Sequence, residues 1–136
     1  MKLLDTNTVI AILNDNPETE LRFRAALARR QPIAVSAVVI FELRYGIAKS
    51  TLRKANAVRL DTFLSAIVAV LPFDDEDARQ AGEVRATLAR TGRPIGPYDV
   101  MIAGQALRHG AAVVTANTSE FGRVAGLKIE DWTKPR

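Results

Sequence analysis

The 136-residue chain predicts an α/β fold, a three-layer α/β/α sandwich with a central parallel sheet of four to five strands. Three observations carry this. Short apolar runs (Leu3-Leu4, Ile33-Ala34-Val35, Ala69-Val70-Leu71, Ala112-Val113-Val114) alternate with longer segments of helical periodicity. The runs lack the in-out polar alternation of a sheet with one wet face, so each is expected to be covered on both sides, as in parallel sheets with helical crossovers. Length and composition (48% hydrophobic, 25% charged, no repeat) fit a single domain over residues 1–136 around one core.

Taken in order, Lys2-Leu3-Leu4 reads as a buried strand ending at Asp5, and one of Asp5-Thr6-Asn7 caps a short helix using Val9, Ile10 and Leu13. Asn14-Asp15-Asn16-Pro17 breaks that helix, and residues 18–30 form a second one with Leu21, Ala25 and Leu27 among its apolar positions. After the strand at 33–35, Ser36 can N-cap a helix running through Glu42 to about Ala48. Residues 52–68 make a long amphipathic helix on Leu52, Ala55, Val58, Phe63 and Ile67, followed by a strand at 69–71 that Pro72 stops. Asp74-Asp75-Glu76-Asp77 opens a helix to about Thr91, its acids suiting the positive end of the helix dipole. The breaker-rich loop 91–97 leads to Pro97 as first residue of a helix ending near Gly110. A strand at 112–115, a turn or short helix at 119–122 and a last strand at 127–129 complete the chain. In such sheets the site lies at the carboxyl ends of the strands, near the point where strand order reverses. That rule singles out Asp5 and the Thr115-Ala116-Asn117 stretch.

Composition narrows the chemistry. There is no cysteine and one histidine, His109, so disulfides, Cys–His catalysis and a Cys/His zinc site are excluded, and a cytoplasmic location is expected. The longest uncharged run, residues 62–73, is shorter than the roughly 18–20 residues a membrane span needs. No Gly-rich phosphate loop or nucleophile elbow is present. Net charge is +4, and fourteen of the nineteen cationic side chains are arginine, which suits an anionic partner as well as a simple compositional bias. Carboxylates and basic groups must therefore carry any chemistry.

Three carboxylates stand out. Asp5 ends the first strand, where it can be a helix N-cap or a ligand. Glu42 lies in Val38-Val39-Ile40-Phe41-Glu42-Leu43, on the same helical side as Val38, Val39 and Tyr45, so it needs an arginine, a set of donors or a metal. Asp99 shares a face with Ile102 and Ala103 in the first turn of its helix, a position the dipole favours in any case. As a set of oxygen ligands without His or Cys they select Mg²⁺ or Mn²⁺.

Leu4-Asp5-Thr6-Asn7, the run from Ser36 through Glu42 to Gly46, Gly96-Pro97-Tyr98-Asp99-Val100-Met101-Ile102-Ala103, and Val114-Thr115-Ala116-Asn117-Thr118-Ser119-Glu120-Phe121 stand in order along the chain. With these four motifs the sequence resembles the PIN-domain ribonucleases, most closely the VapC toxins of bacterial toxin–antitoxin pairs, over essentially its whole length. The resemblance implies a PIN-like sandwich and a Mg²⁺-dependent endoribonuclease, with Mn²⁺ as a substitute. Asp5, Glu42 and Asp99 would be its metal ligands and catalytic residues, and in-line hydrolysis by activated water would leave a 5′-phosphate and a 3′-hydroxyl. It implies a structured RNA substrate such as a tRNA cut in its anticodon region, a homodimer, and an antitoxin whose C-terminal segment fills the active-site groove. The helices at 18–30 and 52–68 either form that groove or merely cover the sheet. Many PIN domains carry a fourth acid where this chain has Asn117, so either Asn117 orients water and Glu120 supplies the charge, or Glu120 is a solvated turn residue. Thr6 and Thr115 suit hydrogen-bonding support of carboxylates or water. Arg93, six residues before Asp99, is either a phosphate grip or a solvated loop arginine. Two other readings compete: a non-catalytic RNA- or antitoxin-binding PIN domain, and a Mg²⁺-dependent phosphotransfer or phosphatase domain. The phosphatase would want an acid where this chain has Asn7.

Overall fold

Strands and helices alternate along the computed structural model, which describes residues 1–67 and 69–135. The order is β1 (Lys2–Leu4), α1 (Thr6–Leu13), α2 (Pro17–Ala28), β2 (Ile33–Ser36), α3 (Ala37–Ala48), α4 (Arg53–Ala66), β3 (Ala69–Leu71), α5 (Asp75–Arg90), α6 (Pro97–His109), β4 (Ala112–Val114), α7 (Thr118–Phe121) and β5 (Lys128–Glu130). The strands form one sheet in the order β3-β2-β1-β4-β5, with every neighbouring pair parallel. The chain leaves β1 toward β2 on one side and leaves β4 toward β5 on the other. The strand order therefore reverses between β1 and β4, where parallel sheets open a crevice at their carboxyl edge.

Local chemistry sets the helix starts. Asp5 accepts from the Thr8 N–H (2.8 Å), Asn16 from the Thr19 N–H (3.1 Å) with Pro17 in the first turn, and Ser36 from the Val38 N–H (3.1 Å). Asp74 and Asp77 form a reciprocal capping box on α5, and Gly110 closes α6 in the left-handed region (φ 61°). The core lies between β1, β2 and β4 and the helices on either face. Leu3, Leu4, Val35, Val113 and Val114 are fully buried among Val9, Val39, Ile102 and Phe121.

The structure corrects the expected buried faces of two helices. On α2 the core is reached by Thr19, Phe23 and Ala26, whereas Leu21 is 63% exposed. On α4 only Leu60 and Phe63 are buried; Leu52 and Val58 point to solvent, and the helix stops at Ala66 rather than at residue 68, which lies outside the described residues. The reason is geometric: α4 is anchored to the core through Leu60 and Phe63 in its C-terminal half. The last strand begins one residue later than expected. No helix of the described residues is long and apolar enough to cross a membrane.

Helix α6 is the most tightly held element around the future site. Its Gly104 lies directly against α5, where an added Cβ would come within 3.0 Å of the Ala81 backbone. Near the C-terminal end of α6, Gln105 donates to the fully buried Asp77 (3.1 Å) and to the Pro72 carbonyl (2.9 Å). Arg108 donates to Asp74 (2.8 Å) and Asp77 (3.1 Å). Gly104→Ala should therefore push α5 and α6 apart and lose about 3 kcal/mol of stability, with overpacking against backbone rather than a flexible side chain as the cause. Urea denaturation checks this, and an unchanged midpoint would contradict the packing.

Candidate metal centre

The carboxyl edge of the sheet gathers the acids through three separate devices. Leu4 is the last residue of the central strand, so Asp5 emerges at the crevice. Its N–H donates to the Val114 carbonyl (3.1 Å) and its side chain caps α1. Asp5 is thereby 4% exposed and stitched to β4 as well as to α1. Thr8, which the sequence reading passed over, reinforces the same junction by donating its hydroxyl to the Val114 carbonyl (2.9 Å). A polar residue three positions after a capping Asp is the signal that could have found it.

Glu42 comes from the middle of α3. Between an arginine partner, a set of donors and a metal, the structure supplies a single donor: the Thr6 hydroxyl donates to Oε1 at 2.7 Å. The nearest arginine in sequence, Arg44, pairs instead with Asp61 (2.8 Å). Asp99 sits in the first turn of α6, its carboxylate folded back toward Gly96. Glu120 lies in the short helix after β4, half-buried, and accepts a short hydrogen bond from the Asn117 amide. The Asn117 N–H is in turn fixed by the buried Thr115 hydroxyl (2.9 Å).

Electrostatics ties these acids together. Burial, then the charges of Asp5, Glu120 and Glu42, push the Asp99 carboxyl up from the ordinary 3.8 to about 6. Glu120 is thus near enough for its charge to be felt at Asp99. Among the described residues, no lysine, arginine or histidine forms an ion pair with Asp5, Glu42, Asp99 or Glu120. Arg93 is not brought to the acids. It is exposed and lines a cavity with Thr87, Thr91 and Arg123, which contains none of the four.

The donor set fits a hard divalent cation in kind. Asp5, Glu42 and Glu120 each give one oxygen to a protein donor, which leaves the other oxygen available; Asp99 accepts no hydrogen bond among the described residues. All the ligating atoms on offer are oxygens, as Mg²⁺ and Mn²⁺ require. Among the described residues no three acidic or His side chains already stand in a closed metal-holding arrangement.

Similarity to known proteins agrees with this geometry. A PIN domain model matches residues 2–127. The tRNA(fMet)-specific endonuclease VapC of Salmonella typhimurium is 42% identical over 131 residues, 96% of each chain. The solved structure of DNA-bound VapBC from Salmonella typhimurium superposes with a TM-score of 0.87 at 41% identity, covering 96% of this chain and 97% of the other. That of VapBC2 from Rickettsia felis bound to a promoter DNA fragment gives 0.88 at 34% identity, covering 96% and 98%. A match of that extent in sequence and in fold, over a sheet edge that collects acids, makes this chain a member of the PIN-domain family, on its VapC branch.

Proposed function

We propose that the chain is a divalent-metal-dependent endoribonuclease, the toxin of a toxin–antitoxin pair, and that it cuts a structured RNA such as a tRNA. The observation that carries the reading is the gathering of Asp5, Glu42, Asp99 and Glu120 at the strand-order reversal, with no ion pair to any of them among the described residues. Asp5, Glu42 and Asp99 hold the ion, Mg²⁺ or Mn²⁺, and Glu120 with Asn117 takes the place of a fourth acid. When bound, the ion lowers the pKa of water for in-line attack and offsets charge building on the phosphate. The chain's own work is orientation. Thr6 fixes Glu42, the Thr8 N–H fixes Asp5, and Thr115 holds the backbone from which Asn117 aims Glu120.

The antitoxin expectation also finds a surface. A cleft between α1, α3 and α4, lined by Ile10, Leu13, Leu43, Ile47, Asn56 and Arg59, opens beside Glu42. It adjoins a second cleft between α1, α2 and α4 that includes Phe23, Val58 and Phe63. Apolar anchors of the antitoxin's C-terminal segment seat here and lead its end to the acids. Titration of the chain with the antitoxin encoded beside it should show Val58→Glu weakening the complex by roughly tenfold or more, because a buried unpaired charge costs well over 1 kcal/mol. Unaltered affinity would remove α4 from that surface.

The activity is tested by incubating the protein with total RNA and mapping cut ends by sequencing. Cuts concentrated at few positions, abolished by EDTA and reduced more than about 100-fold in Asp5→Asn, Glu42→Gln and Asp99→Asn are expected. Thr6→Val, which loosens Glu42 without removing it, should cost roughly 10–100-fold. Cleavage that persists in EDTA overturns the reading.

The ion should also be visible in stability. Between pH 3.8 and about 6 the metal-free folded state binds more protons at Asp99 than the unfolded state does, so stability rises as pH falls through that window. Above pH 6 the cost of burial and of repulsion is complete. Asp99→Asn should then stabilise the EDTA-treated protein at pH 7.5 by roughly 1 kcal/mol after solvent screening, and by much less at pH 4. Thermal melts at both pH values read this, with Mg²⁺ raising the wild-type Tm more than that of the variant.

A further inference from the structure

Three aromatic side chains stand in solvent beside the acids. On α3, Phe41 is 56% exposed and Tyr45, one turn on, 62%; on α6, Tyr98 is 42% exposed. The Phe41 and Tyr98 rings meet with centroids 5.7 Å apart and planes at 59°, and the Lys49 ammonium stands 4.7 Å from the centre of the Tyr45 ring. The result is a strip that runs Tyr98, Phe41, Tyr45, Lys49. Two of its rings are immediate chain neighbours of site acids, Phe41 before Glu42 and Tyr98 before Asp99. Successive residues on a helix point about 100° apart, so each helix delivers a carboxylate to the crevice and a ring to its rim.

From this juxtaposition we infer that Phe41, Tyr98 and Tyr45 form a stacking platform for unpaired bases flanking the scissile phosphate, with Lys49 meeting the backbone beyond them. The inference rests on the ribonuclease reading above and assigns to it the residues that grip the substrate. Its physical basis is that a cluster of carboxylates adds no attraction for a polyanion, so contacts that do not depend on charge supplement the ion and Lys49 in holding the substrate. Stacking on exposed rings is such a contact; it tolerates any base, and rings joined to a cation that follows the backbone are the usual construction of single-strand grooves. Duplex RNA keeps its base faces covered, so the platform selects loops and single strands over helices.

Steady-state cleavage of a mapped RNA substrate and fluorescence binding test this together. Phe41→Ala and Tyr98→Ala should raise KM by roughly 5- to 100-fold with kcat within about threefold, and Phe41→Trp should restore KM. The introduced tryptophan, read against the 3%-exposed Trp132, should be quenched in EDTA by a short oligouridylate and far less by its duplex with oligoadenylate. Sedimentation velocity runs on the same variants. Unchanged KM with no quenching overturns the platform, as does an alanine variant that dissociates a dimer while KM stays constant, because the strip is then a contact between two copies of the chain. Quenching without any metal-dependent cleavage would overturn the ribonuclease reading and leave the platform standing as an RNA-binding surface.

Discussion

Holding like charges near one another costs free energy, and in this chain that cost is carried by neutral donors and by packing. Asp5 leans on a backbone N–H, Glu42 on a hydroxyl and Glu120 on an amide, while the carboxyl of Asp99 is pushed up to about 6. A cationic side chain here would compete with any divalent ion for the same carboxylate oxygens. The arginines are spent elsewhere: Arg44 on Asp61, Arg108 on Asp74 and Asp77, and Arg123 on the Pro94 carbonyl.

Rigid support makes that arrangement tolerable. Helix α6 carries Asp99 at its first turn and is fixed at its other end by the buried Asp77, Gln105 and Arg108 set, with Gly104 pressed on Ala81 between them. Strand β1 carries Asp5 and is bonded on both sides, to β2 and β4. Repulsion among acids can turn side chains on such a frame, but it cannot move the backbone far. The backbone of the crevice is consequently fixed by the fold itself, the condition under which a site can hold a bound group accurately.

Much of this was legible in the sequence because the signals were local. Uninterrupted apolar runs marked the strands, and Asp, Asn, Ser and Pro marked the helix starts, since a cap is a contact over two or three residues. The acids were legible because Glu42 and Asp99 break apolar helical stripes, and the four motifs stand in order along the chain. What escaped was set by distant partners. Leu21, Leu52 and Val58 suit an apolar face by periodicity, yet α2 and α4 are turned by the docking of Phe23 against Phe63. Arg93 lies six residues from Asp99, but the loop carries it to the α5 side, where a guanidinium meets other walls.

Asp5 serves two masters: its charge belongs to the crevice and its carbonyl-like oxygen belongs to the start of α1. Asparagine caps a helix about as well as aspartate. A one-nucleotide change can therefore silence the charge and keep the cap, leaving a chain that folds and can still occupy whatever binds its outer helices. Decay of such a gene would then pass first through a folded decoy that competes with its active parent, and only later through loss of the protein. The dual use of one side chain thus shapes how the lineage can lose its activity.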